Sequence, residues 1–199
     1  YKRQVGYSDN LFNGFDATFK LILIGNSGVG KSCIIKRIGS NSFSTDHEVT
    51  IGAEFTTIAA HVDKKRFLKM MFWDSCGQER YNSITRIFYR GSHCVVFVYE
   101  VNKKSVIFSR FSAQSLRDLE KVWIADVQAS LKDALLILVG NKRDVDDEVR
   151  PLTEVVTQQD AQAFKEKHRL HYHTEVSAKT GSGIKELVEH LAKSLYHIH

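Results

Sequence analysis

The chain has 199 residues, 43% of them hydrophobic and 26% charged, which is enough for one soluble domain with a real core. Its net charge of +5 comes from acids and bases interleaved along the sequence, with no basic block, which argues against a nucleic-acid footprint. Three cysteines in no spaced framework argue against a disulfide scaffold and for a reducing compartment such as the cytosol. The apolar run ALLILVG at 134–140 is far short of the roughly 20 residues that a membrane-spanning helix needs.

Residues 1–18, YKRQVGYSDNLFNGFDAT, are polar and turn-rich without a hydrophobic period, and are expected to form a flexible extension ahead of a domain at 19–199. FKLILIG (19–25) predicts a short buried strand, followed by a glycine turn and a helix through about Ile38. AEFTTIAAHV (53–62) and FLKMMFW (67–73) predict two strands joined by a hairpin turn at DKKR. HCVVFVYEV (93–101), LLILVGN (135–141) and HYHTEVSA (171–178) predict three more. Helical patterns lie near 112–131, 157–169 and 183–198; the last sets Ile184, Leu187, Val188, Leu191 and Leu195 on one apolar face, and Thr157 with Asp160 resembles a capping signal. Buried strands alternating with helices predict an α/β fold, a mostly parallel six-stranded sheet with helices on both faces.

GNSGVGKS (25–32) matches G-x-x-x-x-G-K-[ST] between a predicted strand and helix, the spacing of a phosphate-binding P-loop. Glycines there let backbone N–H groups turn inward around phosphate oxygens, and the helix N-terminus adds its positive end. Lys31 supplies a point charge to the outer phosphates, and the Ser32 hydroxyl is a ligand type for Mg²⁺.

NKRD (141–144) follows a predicted strand and addresses the base. Guanine presents N1–H and N2–H₂ as adjacent donors that an ionised Asp144 accepts together, whereas adenine leaves that carboxylate unpaired. Asn141 is expected on the base's other edge and the Lys142 stem over its face. SAK (177–179) ends the next strand, where the Ala178 N–H is expected to reach guanine O6. Each motif stands at the carboxyl end of a successive strand, the edge where open α/β sheets bind ligands.

With these motifs in order, the chain resembles the Ras superfamily of small GTPases over roughly residues 19–198, and within it a Rab. IGAEF (51–55) resembles IGVDF, WDSCGQER (73–80) resembles WDTAGQER, and FYRGS (88–92) resembles YYRGA. The resemblance implies a P-loop GTPase that binds GTP and GDP with Mg²⁺, switches shape on hydrolysis, and works in vesicle trafficking. It places the segment Ser27, Gly28, Val29, Gly30, Lys31, Ser32 and Cys33 around the phosphates, with Ser177, Ala178 and Lys179 beside the base. It also implies that Asp74 holds the Mg²⁺ shell, that Thr50 ligates the metal, that Gly77 offers its N–H to the γ-phosphate, and that Gln78 orients the attacking water. Phe43 matches the aromatic that packs on the base, with simple core filling as the rival reading. Two lost contacts to the γ-phosphate, at roughly 1.5–3 kcal/mol each, approach the about 5.5 kcal/mol that reverses a two-state population.

The resemblance further implies an exchange factor, an activating protein that supplies a missing arginine finger, and effectors that read the switch regions through Ile51, Phe55, Trp73, Tyr81, Ile84 and Phe88. Period-2 geometry puts Trp73 and Asp74 on opposite faces of their strand. Rabs usually end in a prenylated tail; these residues end in LYHIH, so association with endomembranes is expected only through a lipidated tail not present in this chain.

Cys76 stands where the family usually has alanine, which leaves tolerated variation, altered hydrolysis and redox control as readings. SVIFSRFSAQSL (105–116) makes the chain about ten residues longer than the usual Rab there, and is expected not to touch the nucleotide motifs. His168, His171 and His173 are read as a solvated loop and strand, and Cys33 and Cys94 as structural thiols. Two rivals stand beside the GTPase: a guanine-nucleotide module with little hydrolysis, and a P-loop kinase or ATPase, which NKRD disfavours.

Overall fold

The computed structural model describes residues 14–44, 53–75, 88–101, 112–144 and 156–198. Along the chain run β1 (Ala17–Ile24), α1 (Lys31–Ser40), β2 (Ala53–His61), β3 (Phe67–Ser75), β4 (Cys94–Glu100), α2 (Ser112–Asp118), α3 (Ala125–Ser130), β5 (Leu135–Asn141), α4 (Gln158–Lys167), β6 (Tyr172–Glu175) and α5 (Ile184–Ile198). A π-helical stretch, Leu119–Ile124, joins α2 to α3, and the residues on both sides of it keep right-handed helical dihedrals, so the three pieces form one rod.

The six strands form one sheet in the order β2-β3-β1-β4-β5-β6. Only the β2–β3 pair is antiparallel, as a hairpin connection dictates; the other pairs are parallel. Each central strand is apolar on both faces. In β1, Phe19, Leu21 and Leu23 enter one core, together with residues of α1 and α5. Ile22 and Ile24 enter the other, with residues of the α2–α3 rod and α4. The predicted layer arrangement is therefore the observed one, and burial on both faces explains why these strands read as apolar runs.

Boundaries shift where side chains add partners. β1 begins at Ala17 because Asp16 is already tied to β3: its N–H donates to the Phe67 carbonyl at 2.9 Å, and its carboxylate accepts the Phe67 N–H at 2.7 Å. β3 runs on to Ser75, whose hydroxyl donates to the Leu23 carbonyl at 2.5 Å. β6 stops at Glu175, earlier than expected. The Val176 N–H still donates to Gly140, but the Ser177 N–H turns to Ser182 and opens the following loop. The hairpin turn forms as predicted, with Asp63 accepting the Lys65 and Arg66 N–H groups. Thr157 and Asp160 make a reciprocal capping box at α4.

His171 is exposed, as expected, while His168 and His173 are half-buried, and all three have partners within the protein. His173 Nε2 lies 3.0 Å from the Tyr99 hydroxyl, and His171 Nδ1 accepts the Leu136 N–H at 3.0 Å. His168 packs on the Phe164 ring with its Nε2 3.4 Å from Glu120. The cysteine readings fit better: Cys94 is fully buried and Cys33 half-buried, and burial raises both thiol pKa values.

Candidate functional site

Parallel strands put the carboxyl ends of β1, β3, β4, β5 and β6 on one edge of the sheet, and the motif residues stand along it. The P-loop leaves β1 at its centre. Gly28 and Gly30 have φ of 81° and 93°, the left-handed region that glycine enters without strain. At Gly30 a Cβ would lie 2.3 Å from Asn141 Nδ2, so the loop is drawn in against β5 as far as a side chain would forbid. The loop ends at Gly30 as the N-cap of α1, which has no side-chain cap and no acid in its first turn, so its positive end is open to an anion. Lys31 is buried, and its ammonium donates to the Gly25 carbonyl at 2.8 Å and the Asn26 carbonyl at 3.0 Å. Those bonds fold the cation back over the loop it serves. Ser27 and Gly28 are exposed, Val29 is buried, and Ser32 and Cys33 are half-buried on the first turn of α1.

Asp74, only 4% exposed, pairs in register with Leu23 near the end of β1. Burial raises the pKa of the Cys33 thiol, and the field of Asp74 adds to that rise. A hydroxyl and a buried carboxylate at the edge of a phosphate loop form a hard-oxygen donor set, which fits Mg²⁺.

The base motifs form a second cluster. Ser177 donates its hydroxyl to Asp144 Oδ1 at 2.6 Å and accepts the Thr180 N–H at 3.1 Å, while Lys179 stands 3.8 Å from Asp144 Oδ2. The carboxylate is thereby fixed at one oxygen, with lone pairs left for other donors. Lys142 adopts φ of 68° and pairs with Glu100 at the end of β4, 3.2 Å away.

Asn141 and Ala178, expected on the base, are also bonded within the protein. Asn141 is 1% exposed; its Nδ2 donates to the Val29 carbonyl at 2.9 Å and its Oδ1 accepts the Ala178 N–H at 3.1 Å. The side chain therefore staples the phosphate loop to the SAK loop. The physical reason is burial, which requires both ends of an amide to be paired within the protein.

Phe55, Trp73 and Phe88 come together. Phe55 and Trp73 are cross-strand partners with rings stacked at 5.2 Å, and Phe88 lies 5.7 Å beyond Trp73. Phe55 is 60% exposed. Trp73 packs toward the core shared with α4, opposite to Phe72, so Trp73 and Asp74 occupy the two faces as their spacing predicts. Phe43 is half-exposed on the segment leaving α1. Thr50, Ile51, Cys76, Gly77, Gln78, Tyr81 and Ile84 lie outside the described residues.

Several supporting residues carried no local signal. Arg37 of α1 donates to the Ala178 carbonyl at 2.8 Å and the Lys179 carbonyl at 2.6 Å, holding the SAK loop. The last residues of the segment 105–116 lie in α2, where Ser115 and Gln114 bond to neighbours of the nucleotide motifs and not to the motifs themselves. Ser115 accepts the Glu100 N–H at 3.1 Å, and Gln114 bonds Asp118, which in turn holds Asn26 of the P-loop.

A parallel sheet carrying a P-loop at its centre and a carboxylate-bearing base loop two strands away defines a P-loop nucleotide-binding protein. The sequence model of the Ras family matches residues 20–197. "Ras-related protein Rab-11A" of Dictyostelium discoideum is 35% identical over 185 residues, covering 92% of this chain and 78% of its own. "Ras-related protein RABA1e" of Arabidopsis thaliana is 34% identical, covering 92% and 77%. "Ras-related protein Rab-1" of Theileria annulata is 34% identical, covering 91% and 76%. The chain belongs to the Ras family and is a Rab-like small GTPase. It is a GTP-binding switch that hydrolyses GTP and acts in vesicle trafficking.

Proposed function

We propose that the residues of this edge divide the work as follows. Ser27, Gly28, Val29, Gly30, Lys31, Ser32 and Cys33 surround the phosphates with backbone N–H groups and one ammonium. Asp144 accepts the paired donors of guanine, Lys142 covers the ring from its Glu100-anchored position, and Phe43 packs on the base. Asn141 bonds the base's other edge and the Ala178 N–H reaches guanine O6, and the two also hold the pocket's walls together, with Ser177 and Lys179 fixing the carboxylate. Ser32, Thr50 and Asp74 hold Mg²⁺, which when bound neutralises charge on the phosphate oxygens.

Hydrolysis then needs little covalent help from the protein. Gln78 orients a water toward the γ-phosphorus, the bond to the β–γ bridging oxygen breaks, and GDP and phosphate leave. Lys31 and the loop amides stabilise the charge that develops on the phosphoryl oxygens. No arginine is placed on this edge by sequence as a finger, and such a finger is worth roughly 10³–10⁵ in rate, so an activating protein supplies it. An exchange factor releases GDP. Effectors dock on Phe55, Trp73 and Phe88 with Ile51, Tyr81 and Ile84 of the switch segments, and if the full-length protein has a lipidated tail, that tail carries it to the cytosolic face of endomembranes.

The observation that supports this most is the Ser177–Asp144 bond at 2.6 Å, which fixes a carboxylate beside the base loop. The test is chromatographic identification of the nucleotide released when the purified protein is denatured. GDP or GTP is expected, with faster release after Mg²⁺ is chelated; an adenine nucleotide or an empty protein overturns the proposal.

A further inference from the structure

We infer that Asp118 is a positioning residue for the phosphate loop, and that α2 sets the loop's geometry through the side chain of Asn26. Asn26 follows Gly25 at the opening of the loop and is held from both directions. Its carbonyl accepts the Lys31 ammonium at 3.0 Å, and its Nδ2 donates to Asp118 Oδ2 at 2.7 Å. The other carboxylate oxygen of Asp118 is bonded by Gln114 one turn earlier on α2. A continuous chain thus runs from Gln114 through Asp118 and Asn26 to the one ammonium of the loop.

Three features make this more than a surface contact. The residues that meet, 26 and 118, are 92 positions apart, so the bond fixes α2 against the loop and not against its own neighbourhood. Asp118 is the last residue before the π-helical stretch Leu119–Ile124, where the backbone changes its helical repeat and the direction in which successive side chains leave the helix. The same face of α2 makes a second tie to the nucleotide edge, since Ser115 accepts the N–H of Glu100, the residue paired with Lys142. One short helix therefore touches both the phosphate side and the base side of the pocket.

A carboxylate accepting two amide donors is a charge-assisted anchor, stronger and more directional than a neutral pair. Removing it frees the Asn26 side chain, lets the start of the loop move, and slackens the carbonyls that hold Lys31. Asp118 touches no nucleotide itself and acts through Asn26.

The experiment measures release of a fluorescent GDP from the purified chain, with the ³¹P spectrum of bound GDP as a second readout. In Asp118→Ala, GDP leaves about tenfold faster or more, as loss of a hydrogen bond to a charged group implies, and the β-phosphate resonance shifts. Asn26→Asp alone sets two carboxylates against each other and accelerates release as well. The exchange Asn26→Asp with Asp118→Asn reverses donor and acceptor, leaves an oxygen for Gln114, and returns release to within about twofold of the original. A purely structural role for Asp118 would not give that rescue. Unchanged release and an unchanged spectrum in Asp118→Ala overturn the inference, as does an exchange variant no better than Asn26→Asp; if Asp118→Ala does not fold, the exchange pair decides. The inference rests on residues 25–32 being the phosphate loop: failure of the unaltered chain to bind GDP would refute that reading, whereas tight GDP binding insensitive to these substitutions would refute only the role of Asp118.

Discussion

Asn141 and Ala178 are bonded to each other, side-chain carbonyl to backbone N–H at 3.1 Å, while the same asparagine grips the Val29 carbonyl of the phosphate loop at 2.9 Å. Three segments that approach the nucleotide from different strands meet on one buried amide. One buried side chain thus ties the loop assigned to the phosphates to the loop assigned to the base.

Asn141→Ala removes both bonds and leaves the Val29 carbonyl and the Ala178 N–H without that partner. Each unsatisfied buried group costs about 1–3 kcal/mol, so the variant is expected to lose about 2–6 kcal/mol of stability. GDP release should accelerate in the same variant because the two loops separate. Chemical denaturation and a nucleotide-release assay check the pair of effects; a stability loss below about 0.5 kcal/mol, the range of ordinary surface substitutions, would contradict the staple.

A second prediction concerns acid. Tyr99 reaches across β5 to His173 at Gly140, where a Cβ would come within 2.7 Å of the tyrosine oxygen. Burial first, and Lys165 second, lower the His173 pKa from its ordinary 6.5; burial also lowers those of His168 and His190. With native values below the unfolded one, the unfolded chain takes up protons first as pH falls. Their stabilising contribution is therefore complete above about pH 6.5 and declines as pH drops toward the lowered native values. Glu175, whose pKa burial raises against the pull of Arg143, gains stability from protonation and opposes the decline. The Tm should be lower at about pH 5.5 than at about pH 7.5, and His173→Phe should narrow that difference while lowering Tm at the higher pH, since Tyr99 loses its partner. An equal difference in both proteins would contradict the assignment.

How far the sequence carried this account depends on the range of the interactions. Strands buried on both faces show as apolar runs, so Leu135–Asn141 is found at its predicted bounds. The P-loop is legible because its glycines, Lys31 and Ser32 are fixed in spacing by one local turn. The capping box at Thr157 is legible for the same reason. By contrast, the Asn26–Asp118 bond and the Arg37 contacts to the SAK loop join residues 92 and 141–142 positions apart. No local period encodes such a meeting; only the assembled sheet edge does. The shorter β6 follows the same logic, since Ser177 leaves the strand to bond Ser182 and Asp144.

The measurement closest to the centre of the account is competition between GTP and ATP for the unaltered chain and for Asp144→Asn. A pocket built to pair the two donors of guanine rejects the analogue lacking them by about 10⁴-fold, because its carboxylate is then left unpaired. The unaltered chain should prefer GTP strongly, and that preference should fall at least about a hundredfold on neutralising the side chain that Ser177 holds, as loss of about 3 kcal/mol of charged hydrogen bonding requires. The same preference in both proteins would contradict it.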